Sequence, residues 1–120
     1  MRPWRSRLNS PLDNSGSSSG SGGAIASQSD VTGSRAIDGT VYHNSTTKPI
    51  MVVVSVGLAT ADTVEAKSDA TATPTLRVGY LTMNGATNVI MELVFWVLPG
   101  SYYKVTRVGA GNLNTWMEYT

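Results

Sequence analysis

The stretch Val89-Ile90-Met91-Glu92-Leu93-Val94-Phe95-Trp96-Val97-Leu98 carries a single charge, and it limits the fold more than any other feature of the chain. It is too short to cross a bilayer as a helix, which takes about 18–20 apolar residues. Its β-branched and aromatic residues favour an extended backbone. In that form Val89, Met91, Leu93, Phe95 and Val97 share one face, and Ile90, Glu92, Val94, Trp96 and Leu98 share the other. Both faces are apolar enough for a central strand, or for one whose outer face meets another subunit. Glu92 needs a partner in such surroundings: Arg77 of the same chain is one expectation and a salt bridge across a subunit interface is the other.

The same period of two runs through the rest of the chain from Arg35. Ile50, Val52, Val54, Val56 and Leu58 alternate with Met51, Val53, Ser55 and Gly57, which makes the second face at most half-buried. Leu76, Val78 and Tyr80 alternate with Arg77, Gly79 and Leu81. Further strands are expected over residues 40–43, 63–67, 101–107 and 113–119. Pro99-Gly100 signals a turn, and Gly109-Ala110-Gly111-Asn112 is expected to join the last two strands as a hairpin. No stretch holds a helical period. About seven strands separated by turns every 8–12 residues or so point to an all-β fold, a small antiparallel β-sandwich or jelly-roll-like domain over residues 35–120.

Residues 1–34 read differently. Arg2, Arg5 and Arg7 are interleaved with Trp4 and Leu8, and residues 14–23 read NSGSSSGSGG. A Gly/Ser tract buries too little apolar surface to offset its ordering entropy. The expectation is an extended basic arm on a tether, with Arg2, Trp4, Arg5, Arg7 and Leu8 as a docking peptide. An engineered Ser/Gly linker is the bland alternative. The basic start is followed by no apolar core of a signal peptide.

A folded part of roughly 85 residues is near the lower limit for a self-sufficient core. The 120-residue chain has no cysteine and one histidine, so neither disulfides nor a structural zinc site are expected to help. Association with further copies is the remaining source of stability. A net charge of +1, with 14% charged residues, argues against a nucleic-acid or membrane-surface partner.

The residues offer little to catalysis. A thiolate nucleophile is excluded, and His43 is the only imidazole. It stands beside a turn, with no nucleophile elbow or phosphate-binding loop in the chain. Asp62, Glu65 and Asp69 are close enough in sequence for a calcium loop, but their spacing matches no EF-hand and a solvated loop is the better reading. Asn44-Ser45-Thr46 is a glycosylation sequon on an expected turn. Trp96, Tyr102, Tyr103, Trp116 and Tyr119 gather in the last third. Most belong in a core, with Tyr102 and Trp116 as the possible ligand-facing aromatics and Ile90, Val94 and Trp96 as subunit-interface residues. No enzyme activity, cofactor or metal is expected.

Four stretches carry a resemblance: Gly39-Thr40-Val41-Tyr42-His43-Asn44, Thr47-Lys48-Pro49-Ile50-Met51-Val52-Val53-Val54, Leu98-Pro99-Gly100-Ser101-Tyr102-Tyr103-Lys104-Val105 and Trp116-Met117-Glu118-Tyr119. Together their layout resembles a small β-sandwich domain of tailed-bacteriophage surface proteins, at tail-fibre tips and in head-decorating fibres. The resemblance implies a homotrimer on the virion surface, held to a capsid or tail protein, with no catalytic residues. The chain is short and has no coiled coil, β-helix or repeat. A decoration protein, cement protein or short head fibre therefore fits it better than a long tail fibre. A tail-fibre-type module that grips a host surface glycan is the alternative.

Overall fold

A computed structural model describes residues 25–85 and 88–120, and they fold into two antiparallel sheets. The docking residues Arg2, Trp4, Arg5, Arg7 and Leu8 lie outside the described residues. Eight strands follow in order: β1 (Gln28–Asp30), β2 (Tyr42–His43), β3 (Ile50–Leu58), β4 (Thr63–Asp69), β5 (Arg77–Thr82), β6 (Val89–Val97), β7 (Tyr102–Val108) and β8 (Asn112–Tyr119). One sheet has the order β1-β8-β3-β6 and the other β2-β7-β4-β5.

In this order β1 pairs with β8, β2 with β7, β3 with β6 and β4 with β5. That nested set is an antiparallel ribbon rolled into two layers, the jelly-roll arrangement. The all-β expectation and its β-sandwich or jelly-roll form agree with this architecture.

The alternation of β3 sets the core. Val52, Val54 and Val56 are fully buried, with Ile50 and Leu58 at either end, while Met51 and Val53 stay half-buried outside. Leu93, Phe95 and Val97 of β6 face them within the same sheet. Val64 and Ala66 of β4, and Tyr103 and Val105 of β7, close the core from the other layer. Side chains two apart on a strand share a face, so one period-two pattern yields both core and surface.

One expected connection is corrected, and two strands take positions that alternation left open. β6 is an edge strand and not a central one, because its only partner in the sheet is β3. Residues 109–111 do not close a hairpin, since β7 and β8 belong to opposite sheets and the segment arches between the layers. Leu76, Val78 and Tyr80 are exposed, and the inward side of β5 is formed by Gly79 and Leu81. A bulge beside Val78 lets Ala66 pair with Gly79 while Lys67 pairs with Arg77. The paired backbone also begins earlier than residue 35, for Ala26 and Ser27 both donate to the Thr120 carbonyl at 2.7 and 2.8 Å.

Turns follow a repeated local device. In Asp30-Val31-Thr32, Asp38-Gly39-Thr40, Asn44-Ser45-Thr46 and Asp69-Ala70-Thr71 the first side chain accepts from the backbone N–H and the hydroxyl of the threonine two residues on. The hydroxyl distance is 2.6 Å each time. Pro99-Gly100 forms the expected turn, with Ser101 N–H donating to the Leu98 carbonyl at 3.0 Å and Gly100 at φ +80.

Candidate interaction surface on the β5 and β6 side

The two sheets present unlike outer faces to solvent. On the β2-β7-β4-β5 sheet, Glu65 pairs with Arg77 and with Lys67, the latter at 3.4 Å, and Lys104 and Thr106 continue the polar surface. Arg77 also lies over the Tyr80 ring at 4.4 Å. The expected Arg77–Glu92 pair is therefore replaced by Arg77–Glu65. Glu92 is exposed on the other sheet, and among the described residues it makes no ion pair.

On that other sheet the outward residues of β6 are Ile90, Glu92, Val94 and Trp96. Ile90 is 66% exposed, Val94 53% and Trp96 51%. Cross-strand pairing extends the apolar surface inward across the sheet. Trp96 is opposite Met51, which is opposite Tyr119, and Val94 is opposite Val53, which is opposite Met117. The three proposed interface residues thus share one surface. Leu98, just beyond β6, and Leu76 of the opposite layer are exposed to a similar degree. With Val78 and Trp96 they line an open groove of about 420 Å³ between the two layers.

The two possible ligand-facing aromatics separate. Trp116 is fully buried and cannot face a ligand, because its period-two position on β8 points to the core. It lies edge-on to Tyr42 with centroids 5.7 Å apart and near Tyr103 at 6.5 Å. Tyr102 is half-buried and stacks on exposed His43 at 4.2 Å and 12°. His43 thus stands exposed at the end of β2, beside the turn.

Beside Trp116 stands a buried polar network that the sequence reading missed. Glu118 Oε2 accepts from the Tyr103 hydroxyl at 2.7 Å, from Trp116 Nε1 at 3.0 Å and from Arg35 Nε at 3.2 Å. Arg35 Nη2 donates to Oε1 at 3.1 Å. Burial, then the Glu118 carboxylate, pushes the Tyr103 hydroxyl well above its usual range. Arg35 also lies over the Tyr42 ring at 4.5 Å. Four donors converge on the carboxylate, while Arg35 Nη1 turns to the Ser34 carbonyl at 3.3 Å, so the network joins the two sheets and seals their β2–β8 side. The signal in the sequence was Glu118 two residues from Trp116, an acid on a core-facing position that requires a cation.

The acidic residues tested for calcium also part company. The Asp62 carboxylate accepts from Ala59 N–H at 2.7 Å and Ala110 N–H at 3.0 Å, which ties the β3–β4 turn to the β7–β8 arch. Asp69 accepts from Thr71, Thr75 and Leu76 within its own turn, and Glu65 is paired as above. Among the described residues no three histidine, cysteine or acidic side chains are grouped to hold a metal ion. Asn44 of the sequon is buried, and its amide donates to the carbonyls of Lys48, Val97 and Leu98 at 2.8, 3.2 and 3.2 Å. No family model matches the chain, and neither the curated proteins nor the solved structures contain a match to it.

Proposed function

We propose that the chain is a non-enzymatic structural module of a virion surface. It is held to a capsid or tail protein by residues 1–12 and joined to further copies of itself through the outer face of β6. The observation that carries the reading is the contrast between the sheets' outer faces. One carries the Glu65 ion pairs beside exposed Val78 and Tyr80 at its β5 edge, while the other exposes Ile90, Val94 and Trp96 with Glu92 as the sole charge among them. Contiguous apolar surface of this kind marks an interaction site more often than a solvated face. Its continuity across Met51, Val53, Met117 and Tyr119 suits a partner as broad as another protein domain. The phage resemblance supplies the virion setting, and the basic, tryptophan-bearing segment at Arg2, Trp4, Arg5, Arg7 and Leu8 supplies the anchor.

Deleting residues 1–23 removes none of the described strands and leaves the Ala26–Thr120 backbone bond in place. The shortened protein is expected to fold, to self-associate as before and to lose binding to virus particles that lack their own copies. Normal decoration by the shortened protein would remove the anchoring role.

The stacked His43 and Tyr102 favour one second reading, a host-glycan module, because exposed flat rings suit sugar faces. Tyr102→Ala would then abolish binding on a glycan array while leaving the thermal transition unchanged. Binding that survives this change, or no binding by the unaltered protein, removes the glycan reading.

A further inference from the structure

The four sheet edges differ in how they are protected against pairing with another chain. β1 has three residues and β2 two, too short to template a partner, and β5 is broken by a bulge and carries Arg77. These are the usual devices by which an edge is blunted. β6 has none of them: it is nine residues long, contains no proline or basic residue, and its bridges to β3 run without a register shift. Its sole charge, Glu92, points outward among apolar neighbours. An edge of this kind offers backbone donors and acceptors whose best complement is another extended strand.

We propose that β6 of one copy pairs antiparallel with β6 of a second copy, joining the two β1-β8-β3-β6 sheets into one continuous sheet. The proposal rests on the self-association read above and moves the contact to the edge of β6, where the outward side chains meet those of the second copy along the seam while the sheet face stays open. A two-fold axis passing through Leu93 pairs all nine residues of both strands and keeps outward residues opposite outward ones. It sets Ile90 opposite Trp96 of the second copy and Glu92 opposite Val94, so the two carboxylates are not direct neighbours. A strand pair of this length is about 30 Å long. With both layers and their side chains about 15 Å deep, it covers roughly 900 Å² in total, below the roughly 1,200 Å² of a standard interface and in the range of weak, concentration-dependent association. The groove residues Leu76, Val78 and Leu98 flank the same edge and add to that surface. A two-fold contact closes on itself and stops at two copies.

The absence of cysteine from the natural chain makes the geometry directly testable. In the full-length E92C/V94C variant the two new thiols face each other across the axis, at about 4.5–5.5 Å between Cβ atoms. Mild oxidation is expected to convert most of the protein to a covalent dimer that a thiol reductant returns to single chains. The unaltered protein supplies a second measurement, its mass by light scattering together with amide hydrogen exchange. The expected result is a dimer whose alternate β6 amides are protected at high concentration and exchange at least tenfold faster on dilution into monomer. A trimer whose β6 amides exchange at one rate throughout would overturn the edge pairing and leave self-association standing. A monomer at every concentration would overturn both.

Discussion

Asn44 shows how little of a residue's role its motif reveals. As part of an Asn-Ser-Thr triplet it reads as a modification site, but folding aims its amide into the sandwich, where it holds three carbonyls. A glycan on a side chain so enclosed is incompatible with this fold, so the folded protein recovered from a glycosylating host is expected to carry the unmodified mass. Asn44→Ala strands those carbonyls and should cost about 1–3 kcal/mol, read by urea denaturation. Trp116 makes the same point from the apolar side. Trp116→Ala opens a cavity among Tyr42, Tyr103 and the Glu118 network, with an expected loss of about 3–5 kcal/mol. Any loss of ligand binding in that variant would therefore report unfolding.

At the scale of elements, the acid–threonine turns carry a measurable pH dependence. Hydrogen bonds from Thr32, Thr40 and Thr71 hold the Asp30, Asp38 and Asp69 carboxyls below their ordinary range, most strongly at Asp69. The backbone N–H groups of Ala59 and Ala110 do the same for Asp62. Each carboxyl returns to its ordinary range in the unfolded chain, which then binds more protons in acid than the native state does. Their stabilisation is complete above about pH 5 and is lost as the pH falls towards about 2. The melting temperature should decline through that window, and Asp69→Asn should flatten the decline while keeping the acceptor that Thr71 uses.

Much of this level was legible in the sequence. The β3 and β6 faces followed from alternation, and the Leu98–Ser101 turn from Pro99-Gly100, because those signals are local. What failed was non-local. A Gly-rich link of three or four residues suits a hairpin or an arch equally well, so the partner of β8 could not be read from residues 109–112. The Glu65–Arg77 pair depends on a bulge that no alternation announces. The placement of Ile90, Val94 and Trp96 on one exposed face follows from the same alternation, which sets them on the opposite side from the core-facing Leu93, Phe95 and Val97. Trp116 was misplaced because an aromatic residue reads alike in a core and in a binding platform.

At the scale of the whole molecule, the nesting of strand pairs governs when the fold can form. β4 and β5 meet across a short turn, yet β1 finds its partner only in the last strand of the chain. A nascent chain without β8 has nothing to insert between β1 and β3, so this sheet cannot close before residues 112–119 have been made. Long-range closure of this sort carries a large entropy cost before any contact repays it. Refolding from urea should accordingly occupy milliseconds to seconds, as expected for all-β topologies, and stopped-flow tryptophan fluorescence would record it. Because Ala26 bonds directly to Thr120, the ends of the folded unit are close enough to be joined by a short linker. Reopening the chain in the β4–β5 turn would then make the β1–β8 pair local and turn the innermost hairpin into the outermost contact. That permuted chain would reach the same architecture by the reverse order of closure.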